Sequence, residues 1–145
     1  MEEVKNFLYN YHIDKYGKLI ALEEGEEIPF AIKRVYYIYD VESGVRRGFH
    51  SHKKLEQVLI CVHGNVKILL KTPDEEHTVI LDDPKKGLYI GADIWREMYD
   101  FNDGAVLLVL ASDYYDENDY IRDYSEYEAN YKKKVKKLWK FLFQL

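Results

Sequence analysis

Between Lys18 and Ala111 the chain is a succession of short runs rich in Val, Ile, Leu and Tyr, each closed by a turn signal. That pattern indicates a sandwich or barrel of short strands. The expected strands are 18–22, 30–41, 47–53, 56–63, 66–71, 77–81, 88–90, 95–101 and 105–111. Gly44, Thr72-Pro73-Asp74, Asp82 to Gly87 and Asn102-Asp103-Gly104 separate them. Gly64-Asn65 predicts a two-residue hairpin, with Gly supplying the positive φ. The run 105–111 is continuously apolar, as in a strand buried on both faces. After Asp113 the character changes. Residues 119–145 hold no Pro or Gly, and Val135, Leu138, Trp139, Leu142 and Leu145 fall at helical spacing as one apolar stripe. The expectation is an all-β domain over 1–118, with 119–145 as a helical extension of the same domain. A basic amphipathic helix can bind a membrane or nucleic acid, but the stripe is expected to dock on its own domain or on a dimer mate, leaving six lysines between Lys132 and Lys140 in solvent.

Bulk properties narrow the class. A chain of 145 residues that is 47% hydrophobic suits one domain with one core. A net charge of −5 gives no global attraction to nucleic acid. The single cysteine, Cys61, rules out an internal disulfide and a Cys-based zinc cluster. No run is long enough to span a bilayer and residues 1–20 lack the apolar block of a signal peptide, so a cytoplasmic address without membrane attachment is expected. Most of the 14 tyrosines suit half-buried strand positions, with a minority left to line a pocket.

Chemistry concentrates at His50-Ser51-His52. On an extended strand, side chains two apart share a face, which sets both imidazoles in one cavity about 7 Å apart along the strand. Glu56, at the same parity, is expected to point the same way. Two histidines and a glutamate on an inner face ordinarily suggest a metal. Gly44-x5-His50-x-His52-x3-Glu56, followed by Gly64, resembles the first sequence motif of the cupins, small jelly-roll β-barrels, with one extra residue before the last glycine. A metal-binding cupin takes another histidine from a second motif, expected in 87–101. That segment has none, and Arg96 stands in its place. A guanidinium has no lone pair to donate and repels a divalent cation. No metal and no other cofactor is therefore expected.

Longer blocks sharpen the likeness. Val35 to Asp40, Arg46 to Gln57, Gly87 to Gly91, Trp95 to Phe101 and Leu110 to Asp116 together resemble the metal-free cupin sugar 3,4-ketoisomerases acting on dTDP-4-keto-6-deoxyglucose. The resemblance implies a homodimer of jelly-roll barrels with exchanged N-terminal strands, and a role in making deoxysugars for surface polysaccharides. Moving a carbonyl from C4 to C3 requires a base at C3, stabilisation of an enediolate and a proton donor at C4. His50 is the candidate base and His52 its partner or second proton carrier. Arg47 or Arg96 is the candidate to hold the oxyanion, and Tyr37 to hydrogen-bond the sugar. Arg46 or Lys53 is assigned to the diphosphate, while Trp95, Glu56 and Tyr16 complete the expected substrate contacts. Many relatives giving the galacto-configured product carry Trp-His where this chain has Trp95-Arg96. Loss of that proton donor predicts the gluco product, dTDP-3-keto-6-deoxyglucose, with Tyr16 as companion determinant.

Plainer alternatives stand beside each assignment. Glu56 need only orient a histidine, Arg46 need only be a surface charge, and one face of the Tyr36-Tyr37-Tyr39 strand is packing. His12, His63 and His77 are expected at the surface. Rival functions are a sugar-nucleotide 3,5-epimerase, a non-catalytic nucleotide-sugar-binding cupin and a metal-dependent cupin oxygenase.

Overall fold

In the computed structural model, which describes residues 1–144, two unusually long strands organise the fold. The strands are β1 (Val4–Leu8), β2 (His12–Asp14), β3 (Gly17–Leu19), β4 (Arg34–Ile38), β5 (Arg47–His52), β6 (Gln57–Lys71), β7 (Glu76–Leu81), β8 (Lys86–Ile90), β9 (Trp95–Ala111) and β10 (Tyr120–Ile121); an α-helix, α1 (Tyr124–Phe143), follows them. The antiparallel pair β6 and β9 runs side by side from Gln57↔Ala111 to Lys71↔Trp95. At one end this pair is flanked by β8 and β4, at the other by β7 and β5. Because both long strands bend midway, the two ends face each other as two layers. β1 extends one layer beyond β8, and β10 extends the other beyond β5. This is the jelly-roll barrel expected of the sequence.

The bend explains one correction. Gly64-Asn65 is no hairpin; it is a bulged stretch inside β6, where the register against β9 shifts between Cys61 and His63, between His63 and Asn65, and between Asn65 and Lys67. Gly64 has φ +70°, and a Cβ there would lie 2.4 Å from the Asn102 carbonyl oxygen. Only glycine fits both the backbone and the contact.

Period-two alternation fills the space between the layers. Leu59, Cys61, Val66, Ile68, Leu70, Leu88, Ile90, Met98, Leu107 and Val109 form the main core. The outer side of the β8 layer is closed by Tyr9, Ile28 and Phe30 against Val58, Ile60, Tyr89 and Leu110. The outer side of the β5 layer is closed by Trp95, Ile121 and Tyr127. The β2–β3 hairpin pairs with no other strand, and its tip residue Tyr16 is 85% exposed.

The C-terminal segment also departs from expectation. Residues 119–123 are not α-helical: Glu117–Asp119 is a 3-10 turn, and Tyr120–Ile121 then pairs with His52 and Ser51. The helix begins after Asp123, whose carboxylate accepts from the Glu126 N–H and caps it. Its first turns dock through Tyr127, but Leu138, Trp139 and Leu142 remain exposed, so among the described residues the expected docking of the stripe does not occur within the chain. Leu145 lies outside the described residues.

Candidate active site

Inward parity carries the barrel core into a polar end. Tyr36 and Ile38 on β4, His50 and His52 on β5, Gln57 and Leu59 on β6, and Arg96 and Met98 on β9 share the inner face. A bulge in β5, with Phe49 at φ +53°, shifts the register between Gly48 and His50 and sets His50 opposite Arg96. The two imidazoles meet edge to face, with ring centroids 4.9 Å apart, and both rest on the Tyr120 ring. The sequence thus placed the histidine pair and Arg96 in one site.

Charge inside this site is set by burial and by Arg96. It is wholly buried, donating from Nη1 to Gln57 Oε1 at 2.6 Å and from Nη2 to the Ile94 carbonyl at 3.0 Å. Gln57 Nε2 in turn donates to the Tyr36 hydroxyl at 3.0 Å. That leaves the Tyr36 O–H free to donate elsewhere, while burial holds the phenol above its ordinary pKa. Burial first, and the Arg96 cation second, push His50 down to about 4 and His52 further below the histidine range. Both are neutral near pH 7. The His52–Asp119 contact, Nδ1 to Oδ2 at 3.0 Å, is therefore donation from a neutral imidazole to a carboxylate rather than an ion pair. That bond puts the His52 proton on Nδ1 and the lone pair on Nε2. Asp119 is itself fixed by the Lys54 and Leu55 N–H groups at 2.8 and 3.3 Å.

Two cavities open on these groups. One of about 320 Å³ is lined by Arg34, Tyr36, Arg47, His50, Tyr115, Tyr120 and Arg122 among others. A smaller one of about 200 Å³ is lined by His52, Asp119, Arg34, Tyr120 and Tyr114 among others. Arg122 lies over the Tyr120 ring and is held by Glu117 through Nε and Nη2. Arg34 sits between the rings of Tyr36 and Tyr115. Arg34 Nε, His50 Nδ1 and His52 Nε2 are buried without a hydrogen-bond partner in the protein. Such atoms are uncommon in folded chains, and their convergence here marks a place built to receive polar groups.

Several sequence-derived assignments move. Tyr37 is 62% exposed and packs on Tyr39 outside the barrel; its neighbour Tyr36 has the inward parity. Glu56 accepts from the Tyr89 hydroxyl at 2.6 Å on the outer side, because the loop after His52 resets the alternation and turns Gln57 inward instead. Trp95 is buried outside the barrel beneath Tyr124 and Tyr127, its indole N–H donating to Glu97. Arg46 pairs with the same Glu97 at 2.7 Å and covers Tyr99. Lys53 is exposed, and Arg46, Lys53 and Tyr16 line neither cavity. Arg96 is too deeply buried to touch a ligand directly. Of the expected cationic contacts, Arg47 alone reaches a cavity wall. Tyr36, Gln57, Asp119, Tyr120, Arg34 and Arg122 were missed. The last three and Asp119 carry no local motif, since the chain brings them from distant segments.

A barrel whose polar end pairs two neutral histidines with a buried arginine belongs to the cupin type. The family model FdtA, described as WxcM-like, C-terminal, matches residues 3–132. The TDP-4-oxo-6-deoxy-alpha-D-glucose-3,4-oxoisomerase of Aneurinibacillus thermoaerophilus is 51% identical over 126 residues, covering 87% of this chain and 88% of that protein. A His-to-Asn variant of the 3,4-ketoisomerase QdtA from Thermoanaerobacterium thermosaccharolyticum, in complex with TDP-4-keto-6-deoxyglucose, matches with a TM-score of 0.89 and 56% identity, covering 92% of this chain and 96% of that one. The WlaRB TDP-quinovose 3,4-ketoisomerase from Campylobacter jejuni gives a TM-score of 0.85 and 47% identity over 89% of this chain and 99% of that one. The chain belongs to the FdtA family.

Proposed function

We propose that the chain is a 3,4-ketoisomerase that moves the carbonyl of dTDP-4-keto-6-deoxy-D-glucose from C4 to C3 by histidine acid–base catalysis, giving dTDP-3-keto-6-deoxy-D-glucose. The observation that carries this reading is the pair of neutral imidazoles beside a buried cation, opening on a cavity rimmed by Arg34, Arg47 and Arg122. Relatives at 51% and 56% identity are named for this reaction or hold this sugar nucleotide.

His50 lines the larger cavity and removes the proton from C3. Electrons shift to the C4 oxygen, and the enediolate forms within the field of Arg96. Arg96 acts through that field and by fixing Gln57, which orients the Tyr36 hydroxyl toward the sugar oxygens. With a proton moved from O3 to O4, delivery of a proton to C4 completes the shift, and no atom is gained or lost. An imidazolium beside Arg96 is disfavoured, so His50 gives its proton up readily. His52, held in one tautomer by Asp119, is the second proton carrier. The rim arginines suit the diphosphate, and Tyr115 and Tyr120 offer ring faces to the base.

Product stereochemistry follows from Arg96, a permanent cation where a third imidazole would supply a proton. Quinovose is the gluco-configured 6-deoxyhexose, and the relative named for it is 47% identical. The assembly proposed is a homodimer. Leu8, Ile13, Tyr16 and Leu19 are exposed apolar side chains on an N-terminal arm whose hairpin pairs with no other strand among the described residues. Tyr16 reaches substrate only from a partner subunit.

NMR of the sugar after incubation with dTDP-4-keto-6-deoxyglucose tests the reading. A carbonyl at C3 with an equatorial C4 hydroxyl is expected. A carbonyl retained at C4 with inversion at C5 would instead show an epimerase, and unaltered substrate would show a binding protein.

A further inference from the structure

The family model stops at residue 132, yet α1 runs on to Phe143. Beyond that point lie five of the chain's 21 Lys and Arg and none of its 26 Asp and Glu. The helix is well anchored at its base. The Tyr127 hydroxyl donates to the Lys71 and Asp93 carbonyls, and Lys134 binds both Asp93 carboxylate oxygens at 2.8 Å. Past this anchor the apolar stripe is uncovered: Leu138, Trp139 and Leu142 are 56%, 60% and 52% exposed, and Phe141 and Phe143 more so. Trp139 stacks on Phe143 with centroids 4.5 Å apart, so the exposed face is one continuous apolar strip.

We infer that this appended half-helix is a peripheral anchor that lays the enzyme on an anionic phospholipid surface. The two faces require different environments, and a bilayer surface supplies both. Acyl chains take the Leu138, Trp139 and Leu142 side, while lipid phosphates take the lysines that border it. A nucleic acid would neutralise the lysines and leave the aromatic strip wet. Pairing with a second copy would bury the strip but crowd two lysine arrays with no acidic residue of this segment to offset them. The helix is too charged to span a membrane, so attachment is parallel to the surface.

Cosedimentation of the full chain with vesicles tests the inference, using phosphatidylcholine alone and phosphatidylcholine mixed with phosphatidylglycerol. The chain should pellet with the mixed vesicles, stay in solution with the neutral ones, and release at high salt. Substituting Lys132, Lys133, Lys136 and Lys137 by Gln should weaken binding by about a hundredfold or more. Trp139→Ala with Leu142→Ala should weaken it comparably. Isomerase activity in solution should be unchanged in both, because neither touches the site. Failure to pellet, equal partition onto neutral vesicles, or wild-type binding by the lysine variant overturns the proposal. So does a vesicle-independent rise in mass with concentration that Trp139→Ala abolishes, which would assign the strip to a second copy.

Discussion

The Nδ1 of His52 lies 3.0 Å from the Asp119 carboxylate, across 67 residues of sequence. Asp119 is held there by two backbone N–H groups of the loop that follows His52, so strand end, loop and 3-10 turn lock one another. An acceptor at this point fixes the proton on Nδ1 and leaves the lone pair on Nε2.

Asp119→Asn offers an amide N–H where the carboxylate stood and permits the opposite tautomer. Turnover should fall by about a hundredfold or more with KM little changed, while the fold survives, because one carbonyl oxygen still accepts from the loop. Asp119→Ala should lose thermal stability as well. Steady-state kinetics and melting of the two variants separate positioning from plain structural support.

Part of this was legible in the sequence and part was not. The histidine parity held because His50 and His52 lie beyond the β5 bulge on one extended segment. Arg96 was legible as the residue standing where a ligand was expected. Glu56 was misread because three intervening loop residues break the period-two count, and Gln57 takes the inward place. Tyr37 was misread by one residue, which on a strand is the difference between core and solvent. Gly64-Asn65 has hairpin chemistry, yet long strands bend with the same backbone signal. Asp119, Tyr120, Arg34 and Arg122 meet the histidines only through tertiary pairing, which no local pattern records.

pH dependence has a definite sign. Unfolded His50 takes up a proton near pH 6.5 and folded His50 only near 4. Between those values the unfolded chain binds more protons, so stability is lost as pH falls through that window, by up to about 3 kcal/mol from this group. His52 is displaced in the same direction. Thermal melts of wild type and His50→Asn from pH 7 to 4 should converge as the pH drops.

Gly64→Ala tests the bend. The added Cβ meets Asn102 and Ala105 backbone atoms below 3 Å on a residue of positive φ. A loss of about 2–4 kcal/mol is expected, read as a lowered denaturation midpoint. Gly44→Ala, with open space around it, should cost less.

Arg96→His removes the fixed cation behind the imidazoles and adds a proton donor. The product should shift toward the axial C4 hydroxyl, alone or together with a substitution at Tyr16, as read by NMR of the 3-keto sugar. The acid limb of kcat/KM should also move to higher pH, because one of the forces depressing His50 has gone.

The most direct measurement is solvent exchange by His50→Asn in D2O with dTDP-4-keto-6-deoxyglucose. Wild type should place the carbonyl at C3 and deuterium at the new C4–H centre. The variant should bind the sugar nucleotide with near-native affinity and leave both the C3 proton and the carbonyl in place. Exchange or carbonyl migration in the variant at the wild-type rate would contradict the account.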